Sequence, residues 1–212
     1  MDNSNRRRFL QNSALLTTGL VGLPLISSAN QDLSLSEKEN INVFGPRQGY
    51  TSQLSILVSM MDWMRRMVVY SVKHLSRREL DYLHDDNANT IGAMLMHLAA
   101  TETYYQLNTF DAMEWGSWDD QIAGKWDTAM NLGDGARDAI KGHDIKYYLD
   151  VLKETREKTL SGFRDRDDDW LMTVDKKFPW GPTNNYCKWF HVCEHESNHN
   201  GQIKWLKSRV PA

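Results

Sequence analysis

Apolar residues recur along this chain at the three- and four-residue steps of amphipathic helices, and they do so in separate stretches. Leu54, Leu57, Met61, Met64, Val68 and Leu75 follow a seven-residue repeat broken only at Ser71, which predicts a first helix from about Thr51 to Leu75. Asn87, Asn89 and Thr90 offer capping side chains to a second helix, whose inner face reads Ile91, Met94, Leu95, Leu98, Glu102 and Tyr105. Ile145, Tyr148, Leu149, Leu152, Leu160 and Phe163 mark a third, with Lys153, Glu154, Arg156, Glu157 and Lys158 expected mostly on its wet face. A fourth helix is predicted from about Asn184 to Ser208, after the breaker run Phe178-Pro179-Trp180-Gly181-Pro182.

The connections are unequal. Thr109 to His143 contains glycines, aspartates and Trp115, Trp118 and Trp126 without sustained periodicity, and reads as a long connection. Arg164 to Thr183 is turn-rich and has room for a small hairpin around Leu171 to Phe178. Short connections favour antiparallel neighbours, whereas a link of roughly 35 residues can travel the length of a bundle. The predicted fold is therefore all-α: a four-helix bundle, up-down-down-up, with the second and third helices parallel.

The first 29 residues read as an address rather than as part of this fold. Arg6-Arg7-Arg8-Phe9-Leu10 fits a twin-arginine signal, followed by a short apolar core from Ala14 to Ile26 and by the small residues Ser27 and Ala29 before a cleavage point. That core is too short to span a bilayer. The expected organisation is a signal over 1–29, a linker over 30–48 and one bundle domain over 49–210, exported to the periplasm and not inserted in the membrane after cleavage. The signal carries three arginines and one aspartate, so its removal takes the formal charge below the full chain's −3. A mildly acidic chain offers no electrostatic footprint for nucleic acid or anionic lipid. Cys187 and Cys193 are the only cysteines. Six residues apart on one helix they lie beyond disulfide reach, and they are expected to be ordinary packed thiols.

Candidate chemistry concentrates in His195-Glu196-Ser197-Asn198-His199-Asn200-Gly201-Gln202-Ile203. A four-residue step turns about 400° and rises about 6 Å, so His195 and His199 leave one face of a helix as a pair of metal ligands. His191 shares that stripe, but eight residues of helix span about 12 Å, too far for all three to grip one ion. Of the remaining histidines only His97 is both helical and set among core-facing residues. A bundle presenting His195 and His199 inward gives an inward His97 a reason to be imidazole, and a His97, His195, His199 metal site is the resulting expectation.

With those residues in view, the chain resembles the DinB-like (YfiT-like) family of metal-binding four-helix bundles. The likeness rests on Asn89-Thr90-Ile91-Gly92 leading to Met96-His97-Leu98-Ala99-Ala100-Thr101-Glu102, and on the run from His195 to Ile203, with coverage from about Gly49 to Val210. The resemblance implies a divalent ion, zinc or nickel, held by His97, His195 and His199, and often a homodimer. It also implies, for some relatives, transfer of a small-molecule thiol, and for others hydrolysis. The expected function is a metal-dependent thiol transferase or hydrolase acting on a small molecule, with a non-catalytic metal-binding bundle as the alternative.

His195-Glu196-Ser197-Asn198-His199 also satisfies the H-E-x-x-H pattern of zinc peptidases, in which the glutamate polarises metal-bound water. No further histidine, aspartate or glutamate follows His199 to complete such a site. Glu102 is the first candidate for proton handling and Glu196 the second, each alternatively an interhelical or solvated carboxylate. Gln202, three residues after His199, is placed to hydrogen-bond a ligand's second nitrogen. Tyr104, Trp180 and Trp189 are either walls of a substrate cleft or ordinary packing.

Overall fold

The computed structural model describes residues 40–211. The signal over 1–29 and much of the linker lie outside the described residues. The described chain orders as α1 (Ser52–Val72), α2 (Arg77–Leu80), α3 (Ile91–Thr109), α4 (Asp120–Asn131), α5 (Gly133–Ala139), α6 (Ile145–Arg164), α7 (Asp168–Met172), β1 (Val174–Asp175), β2 (Thr183–Asn184) and α8 (Asn185–Lys207). The fold is all-α, its only described strands being the antiparallel pair β1 and β2. Among the described residues no helix is long and apolar enough to cross a membrane.

The long helices begin where capping side chains allow them to. Thr90 Oγ1 accepts from the Ala93 amide at 3.0 Å, Asp144 Oδ1 from Tyr147 at 3.0 Å and Asn184 Oδ1 from Cys187 at 2.9 Å. Each satisfies one of the amides that a helix start leaves unpaired. α1 is capped from another helix: Asp168 of α7 accepts from the Gln53 amide at 3.1 Å.

Cross-links fix how the four long helices pair. Arg65 and Ser71 of α1 bond Glu196 and Asn200 of α8, so these two run in the same direction. Glu102 and Gln106 of α3 bond Arg156 and Thr159 of α6, which also run together. Between α3 and α8 the order reverses: His97 faces His195, and Asn108 bonds Lys188.

The core falls into two apolar clusters. One gathers Val68, Val72, Ile91, Leu95, Leu98, Tyr148, Leu152 and Ile203; the other gathers Leu54, Leu57, Met61, Tyr105, Phe163, Trp189 and Val192.

Four expectations are corrected. The connection after α3 is not an irregular link: it folds into α4 and α5, with Trp126 and Ala129 buried against the bundle. The hairpin expected within Leu171 to Phe178 is instead a short ladder whose second strand lies beyond Pro182. Arg156, expected on a wet face, is buried, and of the two unpaired thiols only Cys193 is packed away while Cys187 is exposed.

Candidate metal centre

α3 and α8 bring His97, His195 and His199 together, with one candidate ligand atom from each lying within 4.8 Å of the others. Their ring centroids are 4.5 to 4.9 Å apart. His97 and His199 are buried and His195 is half-buried, so the cluster reaches solvent at His195. An imidazole nitrogen sits about 2.1 Å from a bound zinc ion, so only small side-chain rotations separate this arrangement from a shared ion.

One hydrogen bond decides the His97 tautomer. His97 Nδ1 lies 3.0 Å from the carbonyl oxygen of Ala129, which can only accept, so Nδ1 carries the proton and Nε2 keeps its lone pair. That carbonyl is one of the last four of α4, which have no partner within their own helix. His97 Nε2 faces His195 Nε2 at 2.8 Å. A neutral His195 either donates its own Nε2–H to that lone pair or, as the other tautomer, turns a second lone pair towards an ion that the two rings share.

The doubly protonated, charged form of each ring is disfavoured. Burial, with repulsion from His199, His97 and His191, depresses the His195 pKa to about 3, and burial with repulsion from His97 depresses that of His199 to about 4. Burial likewise lowers His97, against the opposing hydrogen bonds to Ala129 and Met130. His199 Nδ1 is buried without a hydrogen-bond partner. Three neutral imidazoles with converging ring nitrogens, one nitrogen of His199 being unpartnered, form a donor set that fits a divalent ion.

Gln202 approaches His199 closely enough to favour its charged form, without closing a hydrogen bond to Nδ1. His191 stands one turn before His195. Its Nδ1 is 2.9 Å from the Tyr105 hydroxyl, and its ring lies 5.2 Å from His195 and 4.8 Å from the exposed Trp180. Trp189 and Tyr104 are core residues, Tyr104 stacking on Trp118 and bonding Asp127. Of the three aromatics considered as cleft walls, only Trp180 stands at the surface.

Glu102 and Glu196 are not at the open side. Both turn into the core and bind Arg65 and Arg156. Burial alone would raise the Glu102 pKa, but Arg156 and Arg65 hold it below the ordinary carboxylate range. Neither carboxylate is hydrogen-bonded to a histidine ring. The peptidase pattern is thus present in the sequence, while its glutamate Oε1 is occupied by guanidinium donors.

The family model for mycothiol-S-transferases matches residues 56–211. The chain belongs to that family. A conserved protein from Enterococcus faecalis, known from a crystal structure, is similar at 15% identity with a TM-score of 0.55, over 74% of this chain and 95% of that one. A likeness at that identity speaks for the fold alone. The chain matches no curated protein. The features that sequence reasoning missed are the Ala129 carbonyl and the arginines behind the glutamates. The run Trp118, Ile122, Trp126, Ala129 and Met130 has a helical period and could have signalled α4.

Proposed function

We propose that this chain is a metal-dependent thiol transferase that joins a small-molecule thiol to an electrophilic substrate. The observation that carries the reading is the pair of Nε2 atoms facing at 2.8 Å beside a third imidazole, in a chain of the mycothiol-S-transferase family. His97, His195 and His199 would hold the ion, zinc or nickel. A bound divalent cation supplies positive charge that favours thiolate over thiol, the better nucleophile.

The protein's own groups set the conditions for that chemistry. The Ala129 carbonyl keeps the His97 lone pair directed at the site. The partial exposure of His195 leaves a side open to substrate. A groove of about 570 Å³ runs beside the following turns of α8, lined by Asn89, Met94, Asn198, Gly201, Gln202 and Trp205. Gln202 both lines the groove and approaches His199, which supports this groove as the one that serves the centre. Its uncharged amides, thioether and indole suit a neutral polar molecule.

Elemental analysis of protein purified without added metal, beside His97→Ala, tests the centre. One equivalent of metal in the parent and none in the variant is expected; equal contents in the two would end the reading. Mass spectrometry of an electrophile incubated with a small thiol and the protein tests the transfer, with a thioether adduct as the expected product. We further propose export through the twin-arginine route and a homodimeric state. Replacing Arg6 and Arg7 by lysine should trap the precursor inside the cell, and light scattering should return twice the chain mass.

A further inference from the structure

Arg65 of α1, Glu102 of α3, Arg156 of α6 and Glu196 of α8 form an almost wholly buried cluster in which, among these four side chains, Glu196 Oε2 is left without a hydrogen-bond partner. Along each helix it falls between residues of the two apolar clusters. Glu102 Oε1 accepts from Arg156 Nε at 2.7 Å and Thr159 Oγ1 at 2.6 Å, and its Oε2 accepts from Arg65 Nη2 at 2.7 Å. Glu196 Oε1 accepts from Arg65 Nε at 3.0 Å and Arg156 Nη2 at 2.7 Å. The spare guanidinium nitrogens are tied down too, Arg65 Nη1 to the Leu152 carbonyl at 2.7 Å and Arg156 Nη1 to that of Met61 at 2.9 Å.

Buried ion pairs are a poor source of net stability, because desolvation offsets most of the attraction. What they supply is direction. An apolar seam tolerates a small rotation of one helix against another, whereas a planar guanidinium spanning two carboxylates does not.

Both carboxylates belong to helices that carry the histidines. On α8, His195 and His199 project at about 100° and 60° to the same side of Glu196; on α3, His97 projects about 140° from Glu102. Fixing the azimuth of the two glutamates therefore fixes the angles at which all three imidazoles leave their helices. We propose that Glu102 and Glu196 are positioning residues of the histidine centre, held by Arg65 and Arg156 as a rigid frame. This inference rests on the metal-centre reading.

Cobalt(II) titration, followed by visible d–d absorption and by competition with a chromophoric chelator, tests it on Glu196→Gln and on Arg65→Lys. Glu196→Gln keeps the shape and removes the charge; Arg65→Lys keeps the charge and removes the fork. Both are expected to weaken cobalt binding about 10- to 100-fold and to alter the d–d spectrum. Leu57→Ala, a core truncation that touches none of the four, is the control: it should lower the melting temperature and leave affinity and spectrum unchanged. Parent affinity and spectrum in the two cluster variants would overturn the proposal, as would failure of both to fold, which would make the cluster a folding element. A parent protein that binds no cobalt would sink the metal centre itself, a separate result.

Discussion

His97 joins two parts of the molecule through one ring, with Nδ1 bound to a carbonyl of α4 and Nε2 turned to α8. Its neighbours carry the clearest pH signature. The unfolded chain has its histidines near 6.5, while the folded, metal-free protein holds His195 near 3 and His199 near 4. Between those values the unfolded state binds more protons, so stability falls as the pH drops. The contribution is complete above pH 6.5 and is lost as the pH falls through the folded values. Urea unfolding of chelated protein at pH 7.5 and pH 4.5 should show a loss of about 2–4 kcal/mol, a range discounted for the partial exposure of His195. His195→Ala should flatten that dependence. An unchanged slope in the variant would remove His195 from the account.

α3 and α6 approach closely where glycines leave room for aromatic rings: Gly92 of α3 for Tyr148, and Gly162 of α6 for Phe110, the residue after α3. A Cβ on Gly92 would lie 2.6 Å from the Tyr148 hydroxyl, and one on Gly162 would lie 2.5 Å from Phe110. Gly92→Ala is therefore expected to destabilise the protein by about 1–3 kcal/mol in chemical denaturation. The Tyr148 hydroxyl is buried without a partner, so Tyr148→Phe should be neutral or stabilising, and the double variant should recover part of the loss. α4 supports the site from outside the four long helices. Trp126→Ala should cost about 3–5 kcal/mol and, by loosening the Ala129 carbonyl, weaken metal binding in the same preparation. α1, α3 and α6 were legible because their apolar residues recur along each helix, with capping side chains read ahead of α3, and α8 because a breaker run precedes it. α4 was not, since its apolar signal is diluted by Gly124 and by polar residues on a mostly exposed helix. His97, His195 and His199 could be read from spacing and setting. The arginines could not: Arg156 stands among charged neighbours, and its burial follows only once Glu102 and Glu196 arrive from two other helices.

At the scale of the whole molecule, the apolar core is split and its two halves are joined across a layer of charge. A ligand bound only by the folded state adds to the stability of both halves together. Metal-loaded protein, with ion at about 100 times its dissociation constant, should melt about 5–10 °C above the chelated form, as one transition in calorimetry. Two separated transitions would show that the halves unfold independently. The contact between His97 and His195 spans 98 positions of the chain. An ion shared by those rings would act as a removable staple on a very long loop, with the connection from residue 110 to 144 inside it. Protein nicked by a protease in that stretch should still migrate as one particle, and should come apart more readily under denaturant once a chelator has drawn the staple.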